Sequence, residues 1–407
     1  MPRTVLYLET GTHGGGSHQS LTSLVRNLDP NRYRAKVLLL ADLPHAAAMR
    51  EAGAEVRVVR DWQYNDQLPR PLHKAMLAGS LALGRFFPRG VDLWEKLIHH
   101  PAFKRLADML ERERPDLAHL NNQVVRHYFG LLAVGQAGLP CVSHLRSPQA
   151  RGLTSPMMDA ANRTVDRYVT YATSLGEFWV SKGARRDKLS VIPNGIEPQE
   201  AAPFDLRERY GLGPEAGPII GGVGYIRPNR AYDFLIRAWP KVLEKLPKAV
   251  LVIVGSAEPQ LKKELENLVT QMGLGFSVKF VGNDPEGPRV VASLDVLALP
   301  YKVEPFGRVL LEGWLHGTPV VASRVGNIAD HLTDGRDGLL CDYPDVDSLA
   351  DALVRASEPA VAAGLAEKGR ETVLRSYTAA AHAKAMMALY DQVLENRGAG
   401  GHGHQAD

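Results

Sequence analysis

Two glutamates eight positions apart, Glu304 and Glu312, bracket a segment that suits a ligand carrying both hydroxyl and phosphate groups. The apolar run 296–300 predicts a buried strand, and residues 309–316 predict a helix. Glu304 then lies on the loop at the carboxyl end of the strand, with Glu312 about two helical turns further on. Carboxylates accept hydrogen bonds from hydroxyls, and a helix start with Gly307 lets backbone N–H groups approach an anion closely. Two solvated acids on a surface helix are the simpler alternative.

A glycine run at 14–16 is a second candidate ligand-binding segment, and it includes Gly15 and Gly16. It follows the predicted strand 5–8 and precedes the predicted helix 17–28, where backbone can approach a phosphate or a sugar. Its spacing fits neither the dinucleotide-binding fingerprint nor a phosphate-binding P-loop. Taken alone, the run is a weak indication of function.

Basic side chains follow two further predicted strands. His144 ends the apolar strand 141–144, with Arg146 two residues later, and open α/β sheets bind ligands at the carboxyl ends of their strands. Arg227 and Arg230 follow the first strand of the second half of the chain, where two guanidinium groups could clamp a diphosphate. The alternatives are a structural histidine and solvent-exposed arginines.

No metal site is predicted. Asp345 and Asp347 have the spacing of a metal-binding Asp-x-Asp, but the residues that follow form an evident helix, which favours an N-cap role for one aspartate. His402 and His404 lie in a Gly- and His-rich tail that is predicted to be disordered.

The chain of 407 residues is long enough for two domains, and strands alternate with helices in both halves. This pattern is typical of an α/β protein with two Rossmann-like, doubly wound parallel sheets. We expect an N-terminal domain over 1–198 with a helical insertion near 61–115, and a C-terminal domain over 199–377. A helix over 378–395 is expected to pack back on the N-terminal domain, followed by the tail 396–407.

Bulk composition indicates a soluble globular protein. The chain is 45% apolar and 23% charged, with a net charge of +3 and no basic arm, which argues against nucleic acid as a partner. Its two cysteines suit a reducing cytoplasm, and neither a secretory signal nor a membrane-spanning segment is predicted. The insertion near 61–115 is either an ordinary packed helical segment or a surface that faces lipid or acceptor.

An ordered series of segments resembles the retaining glycosyltransferases of family four, also called group 1, which have a GT-B fold with two Rossmann-like domains facing across a cleft. The resemblance covers most of the chain and is densest from about 165 to 360. The matching segments are 190–196, 280–282, 304–312, 317–323 and 335–340.

The resemblance also implies roles for individual residues. Glu312 would hold ribose hydroxyls of a nucleotide-sugar donor, Glu304 the transferred sugar, and His144 would lie near that sugar. Arg230 stands where the family has a phosphate-binding lysine; Tyr225 replaces the companion arginine, so Arg227 is expected to substitute for it. The other residues expected at the donor are Gly15, Gly16, Gly282, Phe306, Gly307, Arg308 and Val309.

By this resemblance the protein is a hexosyltransferase that transfers sugar from a nucleotide-diphosphate sugar, its co-substrate, with retention and without a metal or other cofactor. The acceptor would be a carbohydrate or lipid-linked hydroxyl in polysaccharide or glycolipid synthesis, in the cytoplasm or at the inner face of the membrane. Two alternatives stay open: a sugar-nucleotide hydrolase or epimerase, and a non-catalytic sugar-nucleotide-binding subunit.

Overall fold

The computed structural model describes residues 1–10, 16–39, 45–58, 100–303 and 307–400. Two compact units divide the chain: unit 1 comprises Met1–Gly195 and Ala379–Asp407, and unit 2 comprises Ile196–Thr378. The chain therefore leaves unit 1 three residues before the predicted boundary at 198, and returns to it with residue 379.

Unit 1 contains a seven-stranded sheet of order β3-β2-β1-β4-β5-β6-β7, with every pairing parallel. Its central strands β4 and β5 are buried at every position, as expected for a parallel sheet that helices cover on both faces. The strands are β1 (Arg3–Glu9), β2 (Tyr33–Leu39), β3 (Glu55–Val58), β4 (Leu117–Leu120), β5 (Cys141–His144), β6 (Arg167–Thr170) and β7 (Leu189–Val191). The helices are α1 (Gly16–Arg26), α2 (His45–Glu51), α3 (His100–Glu113), α4 (Tyr128–Gln136), α5 (Ser155–Thr164), α6 (Thr173–Ser181) and, from the end of the chain, α15 (Ala379–Gly400).

The C-terminal helix α15 packs on the sheet of unit 1. Met386 and Tyr390 lie in one buried apolar cluster with Val5 of β1 and Val142 of β5. Asp391, on the same helix, accepts a hydrogen bond of 2.6 Å from the Tyr33 hydroxyl. Helix α15 therefore completes the core of unit 1, although it is far in sequence from the other elements of that unit.

The prediction that the tail begins at residue 396 is wrong for residues 396–400, because α15 continues to Gly400. Arg397 donates two hydrogen bonds, of 2.9 and 3.2 Å, to the carboxylate of Asp166. This bidentate pair holds the last turns of the helix against unit 1. The sequence offered no local signal for it, since its partner lies 231 positions away.

Unit 2 contains a six-stranded parallel sheet of order β10-β9-β8-β11-β12-β13. Buried apolar clusters lie on its two faces. The strands are β8 (Ile219–Val223), β9 (Val250–Val254), β10 (Val278–Gly282), β11 (Val296–Leu299), β12 (Val320–Ser323) and β13 (Leu339–Cys341). The helices are α7 (Leu206–Tyr210), α8 (Tyr232–Lys245), α9 (Pro259–Gln271), α10 (Gly287–Ala292), α11 (Arg308–His316), α12 (Ile328–His331), α13 (Val346–Ala356) and α14 (Pro359–Ser376).

Both sheets reverse their strand order at one point, between β1 and β4 in unit 1 and between β8 and β11 in unit 2. Loops that leave the carboxyl ends of the two strands at such a point diverge and open a crevice that commonly binds ligands. The prediction of two Rossmann-like, doubly wound parallel sheets is confirmed. In unit 2, the predicted basic loop 224–230 follows β8 and the paired-glutamate segment follows β11.

The insertion predicted near 61–115 lies mostly outside the described residues, which resume at residue 100 with α3. Among the helices that the structure does describe, none is both long and apolar enough to cross a membrane.

Candidate functional site

Helix α11 supplies the first group of site residues in unit 2. Gly307 is buried at its N-cap, and a Cβ atom there would lie 3.1 Å from the Cβ of Leu310. Arg308 and Val309 are the first two helical residues, and both are half-buried. Their unsatisfied N–H groups make this helix start a place where an anion can bind.

Glu312 lies one turn after Arg308 on the same face of α11. Its side chain is half-buried, and loss of hydration raises the pKa of its carboxyl, while the positive charges of Arg308 and Arg230 oppose that rise. Within the part of the chain that the structure describes, no hydrogen-bond partner or ion pair occupies the carboxylate. It is therefore an available acceptor for hydroxyl groups of a ligand.

Asn229 fixes the loop after β8 to the loop after β11. Its carbonyl oxygen accepts a hydrogen bond of 3.0 Å from the Lys302 N–H, and its side-chain amide donates one of 3.1 Å to the Val303 carbonyl. Arg230 follows directly, donates to the Tyr301 hydroxyl, and places its guanidinium 4.5 Å from the centre of the Tyr301 ring. These contacts hold Arg230 against the loop that follows β11, and its charge acts on Glu312.

Arg227 has different surroundings from Arg230. Its side chain is exposed, and its guanidinium carbon lies 4.8 Å from the centre of the Tyr225 ring, which is itself 42% exposed. The cations that act on the Glu312 carboxyl are Arg308 and Arg230. Of the two arginines predicted to clamp a diphosphate, the structure thus brings one to Glu312 and stacks the other on an aromatic side chain.

Glycines let the strand ends of unit 2 approach one another. Gly282 has a φ of +83° at the irregular end of β10, and its carbonyl accepts a hydrogen bond of 2.7 Å from the Gly255 N–H. Gly255 has a φ of +148°, and a side chain there would overlap the carbonyl of Gly224. A Cβ atom on Gly282 would meet no other atom within 4 Å.

His144 lies at the carboxyl end of β5, as the sequence predicted, but it is fully buried in unit 1. Strand alternation directs it to the face that α15 covers, where its ring is 5.7 Å from His119 and 6.3 Å from His382. Burial, and then the charge of Arg146, hold the pKa of His144 well below its ordinary value. Both of its ring nitrogens lack a hydrogen-bond partner within the described residues.

A polar network at the switch point of unit 1 was missed by sequence reasoning. The buried Glu9 carboxylate accepts hydrogen bonds from the side-chain amides of Asn121 (2.6 Å) and Asn122 (2.8 Å). Arg146 donates to Asn121 Oδ1 at 2.6 Å and to Asn194 Oδ1 at 3.2 Å. The available signal was polar side chains at strand ends: Glu9 ends β1 and Asn121 follows β4 directly.

Of the remaining predicted residues, the structure describes Gly16 and Asp345. Gly16 is the first residue of α1, and a Cβ atom added there would meet no other atom within 4 Å. Gly15, Glu304 and Phe306 lie outside the described residues. Asp345 is the N-cap of α13 and accepts from the N–H groups of the second and third residues after it, at 2.9 and 3.1 Å, which confirms its predicted capping role.

Comparison with known proteins places the chain in a family. Residues 217–358 match the family described as glycosyl transferases group 1, and residues 14–200 match glycosyltransferase family 4. The 2-deoxystreptamine glucosyltransferase of Streptomyces kanamyceticus is 30% identical over 252 residues, which are 59% of this chain and 65% of that protein. A GDP-mannose-dependent alpha-(1-6)-phosphatidylinositol monomannoside mannosyltransferase of Mycolicibacterium smegmatis is 32% identical over 46% of this chain and 52% of its own length. The alignments therefore span between about half and two thirds of these curated relatives.

Solved structures give the same fold. Anabaena HepE in complex with UDP and glucose has a TM-score of 0.72 at 21% identity, covering 96% of this chain and all of HepE. Sucrose-phosphate synthase from Thermosynechococcus elongatus has a TM-score of 0.70 at 20% identity over 97% of this chain and all of its own. With two family matches that together span most of the sequence and two Rossmann-like units, the protein belongs to the group 1, family 4 glycosyltransferases and has the GT-B fold.

Proposed function

We propose that the protein is a glycosyltransferase that transfers a hexose from a nucleotide-diphosphate sugar to an acceptor hydroxyl with retention of configuration. The observation that carries the proposal is Glu312: a half-buried carboxylate with no partner in the described part of the chain, beside two arginines and a helix start. A hydroxyl-binding acid next to an anion-binding helix terminus is the combination that a sugar nucleotide requires.

In the proposed reaction, the bond between the sugar's anomeric carbon and the diphosphate oxygen breaks while the acceptor oxygen bonds to that carbon. The acceptor's proton passes to the departing diphosphate, so atoms and charge balance without a dedicated base. Arg230 and the N–H groups at the start of α11 stabilise the charge that develops on the diphosphate, an electrostatic contribution to catalysis. Glu312 holds the ribose hydroxyls, and we retain Glu304 for hydroxyls of the transferred sugar.

The substrates of two similar proteins support the substrate classes that we propose. One names a phosphatidylinositol mannoside as its acceptor and GDP-mannose as its donor, and HepE was crystallised with UDP and glucose. We propose accordingly a carbohydrate or lipid-linked acceptor, in polysaccharide or glycolipid synthesis, and action in the cytoplasm with peripheral contact at the inner face of the membrane. No bound cofactor enters the proposal.

A thermal-shift panel of UDP-, GDP-, ADP- and TDP-sugars tests the donor site. A donor at about 100 times its Kd stabilises the folded protein by about 2.7 kcal/mol, which raises Tm measurably. Glu312→Gln removes the charge at nearly constant shape and should abolish most of the shift. Glu367→Gln, a matched change at a side chain that is 75% exposed on α14, should leave it intact.

Product analysis then tests the transfer itself. Incubation of the best donor with membrane extracts or oligosaccharide acceptors should give a glycosylated product only when acceptor is present. If no sugar nucleotide shifts Tm, the donor-site assignment fails. Free sugar or an epimer released at full rate without acceptor would contradict transfer and favour a hydrolase or an epimerase.

A further inference from the structure

Arg308 places a positive charge at the amino terminus of a helix, where acidic side chains are favoured. It is the first residue of α11, and the first turn of that helix contains no acidic side chain. The amino terminus of a helix carries a partial positive charge, so an arginine there is electrostatically unfavourable unless an anion is close by. The arrangement therefore indicates a negative group that approaches this end of the helix.

Glu312 alone does not satisfy that requirement. Arg308 and Glu312 are four residues apart on one helix face, yet no ion pair within 4.0 Å joins them among the residues that the structure describes. Arg230 contributes a second positive charge to the same carboxylate from the loop after β8. Among these three side chains, two cations thus face one anion, beside a helix start that is itself positive.

Arg227 does not supply one of the two positive charges that act on Glu312. Its guanidinium is stacked on the exposed ring of Tyr225, and its charge is not among those that act on Glu312. The second guanidinium that acts on Glu312 comes instead from Arg308, at the start of the helix that follows β11. The Asn229 contacts join the loop after β8 to the loop after β11. The strand order makes these loops neighbours, since β8 and β11 pair at the switch point of the sheet.

We propose that Arg308 is a donor-binding residue of this chain, and that its guanidinium and that of Arg230 together bind the diphosphate of the donor. The inference rests on the proposed function and goes beyond it by assigning the second phosphate-binding cation to the helix start. A planar guanidinium can donate two parallel hydrogen bonds to phosphate oxygens, which a lysine cannot do.

Isothermal titration calorimetry of the full chain with nucleoside diphosphates and with the matching nucleosides tests the proposal. UDP, GDP and ADP are each compared with uridine, guanosine and adenosine, so that the diphosphate contribution is the ratio of the two affinities for one base. Arg308→Gln should weaken binding of the preferred nucleoside diphosphate at least tenfold and leave binding of its nucleoside within about twofold. Arg308→Lys, which keeps the charge without the planar fork, should lose less than Arg308→Gln.

Two further variants make the result decisive. Arg237→Gln removes an exposed guanidinium from α8 of the same unit and should change neither affinity. Arg227→Gln tests the competing assignment from sequence. The proposal is overturned if Arg308→Gln binds the diphosphate like wild type, if it loses nucleoside and diphosphate affinity equally, or if Arg227→Gln alone removes the diphosphate contribution. If wild type binds none of these nucleoside diphosphates and no sugar nucleotide of the thermal-shift panel, the proposed function itself fails.

Discussion

His382 gives a quantitative test of how α15 is held on unit 1. It lies in the first turn of α15, is only 5% exposed, and its Nδ1 atom is 2.7 Å from the carbonyl oxygen of Pro193. A carbonyl only accepts, so Nδ1 carries the proton of the neutral ring. Burial lowers the pKa of His382 from 6.5 to about 4, opposed in part by the hydrogen bond to Pro193 and reinforced by the charge of Arg146.

The direction of the pH effect follows from that depressed pKa. Above pH 6.5 the imidazole is neutral in both folded and unfolded chains, and it contributes no pH dependence. Between pH 6.5 and about 4 the unfolded chain takes up a proton that the folded chain does not, so stability falls as pH falls. Since one unit of pKa is worth about 1.4 kcal/mol, the free energy of unfolding loses about 3 kcal/mol across this range through His382 alone.

His382→Asn separates this loss from simple packing. Its amide nitrogen can take the place of Nδ1 and still donate to the Pro193 carbonyl, but it does not titrate. Urea unfolding at pH 8 measures the packing cost, and the drop in unfolding free energy from pH 8 to pH 4 should be about 3 kcal/mol smaller in the variant than in wild type. His331→Asn is the corresponding change in unit 2, where burial likewise lowers the pKa of His331 to about 4. Equal drops for wild type and His382→Asn would refute the reasoning.

Further predictions concern glycines of unit 2, each checked by urea unfolding at pH 8. On α14, Gly364 is exposed with open space around it, whereas a Cβ on Gly369 would overlap the Trp314 ring. Gly364→Ala should therefore stabilise by about 0.5–1 kcal/mol, and Gly369→Ala should destabilise by about 2 kcal/mol or more. Gly255→Ala should cost about 2–4 kcal/mol, because its φ of +148° and the Gly224 carbonyl both exclude a side chain. Equal effects of the two α14 changes, or a neutral Gly255→Ala, would contradict these packing arguments.

The sheets were predictable because their signal is local. Strands such as β9, with four of its five residues buried, read as short apolar runs between helices, and parallel sheets covered on both faces require such runs. The capping role of Asp345 was predictable for the same reason, since the cap and the N–H groups that it accepts from lie within three residues. Helix ends that depend on distant partners were not: the extension of α15 to Gly400 relies on Asp166.

Side-chain direction was harder to predict than position. The sequence placed His144 correctly at a strand end, but not the face of the sheet to which its ring turns. That face depends on α15, which brings His382 to within 6.3 Å of His144 from the far end of the chain. The Glu9 and Asn121 hydrogen bond was hidden similarly, because only the pairing of β1 with β4 makes those strand ends neighbours.

The arginines of unit 2 show why charge at a site cannot be counted from loop composition. Arg227 and Arg230 are three residues apart, yet the guanidinium of Arg227 lies on the Tyr225 ring and that of Arg230 on the Tyr301 ring. Burial raises the pKa of Glu312, and two guanidinium groups oppose that rise: Arg308 at the start of α11 and Arg230 on the loop after β8. In the proposed donor complex, the cations that attract the diphosphate also favour the ionised form of Glu312, which is the form that accepts hydrogen bonds from the ribose hydroxyls.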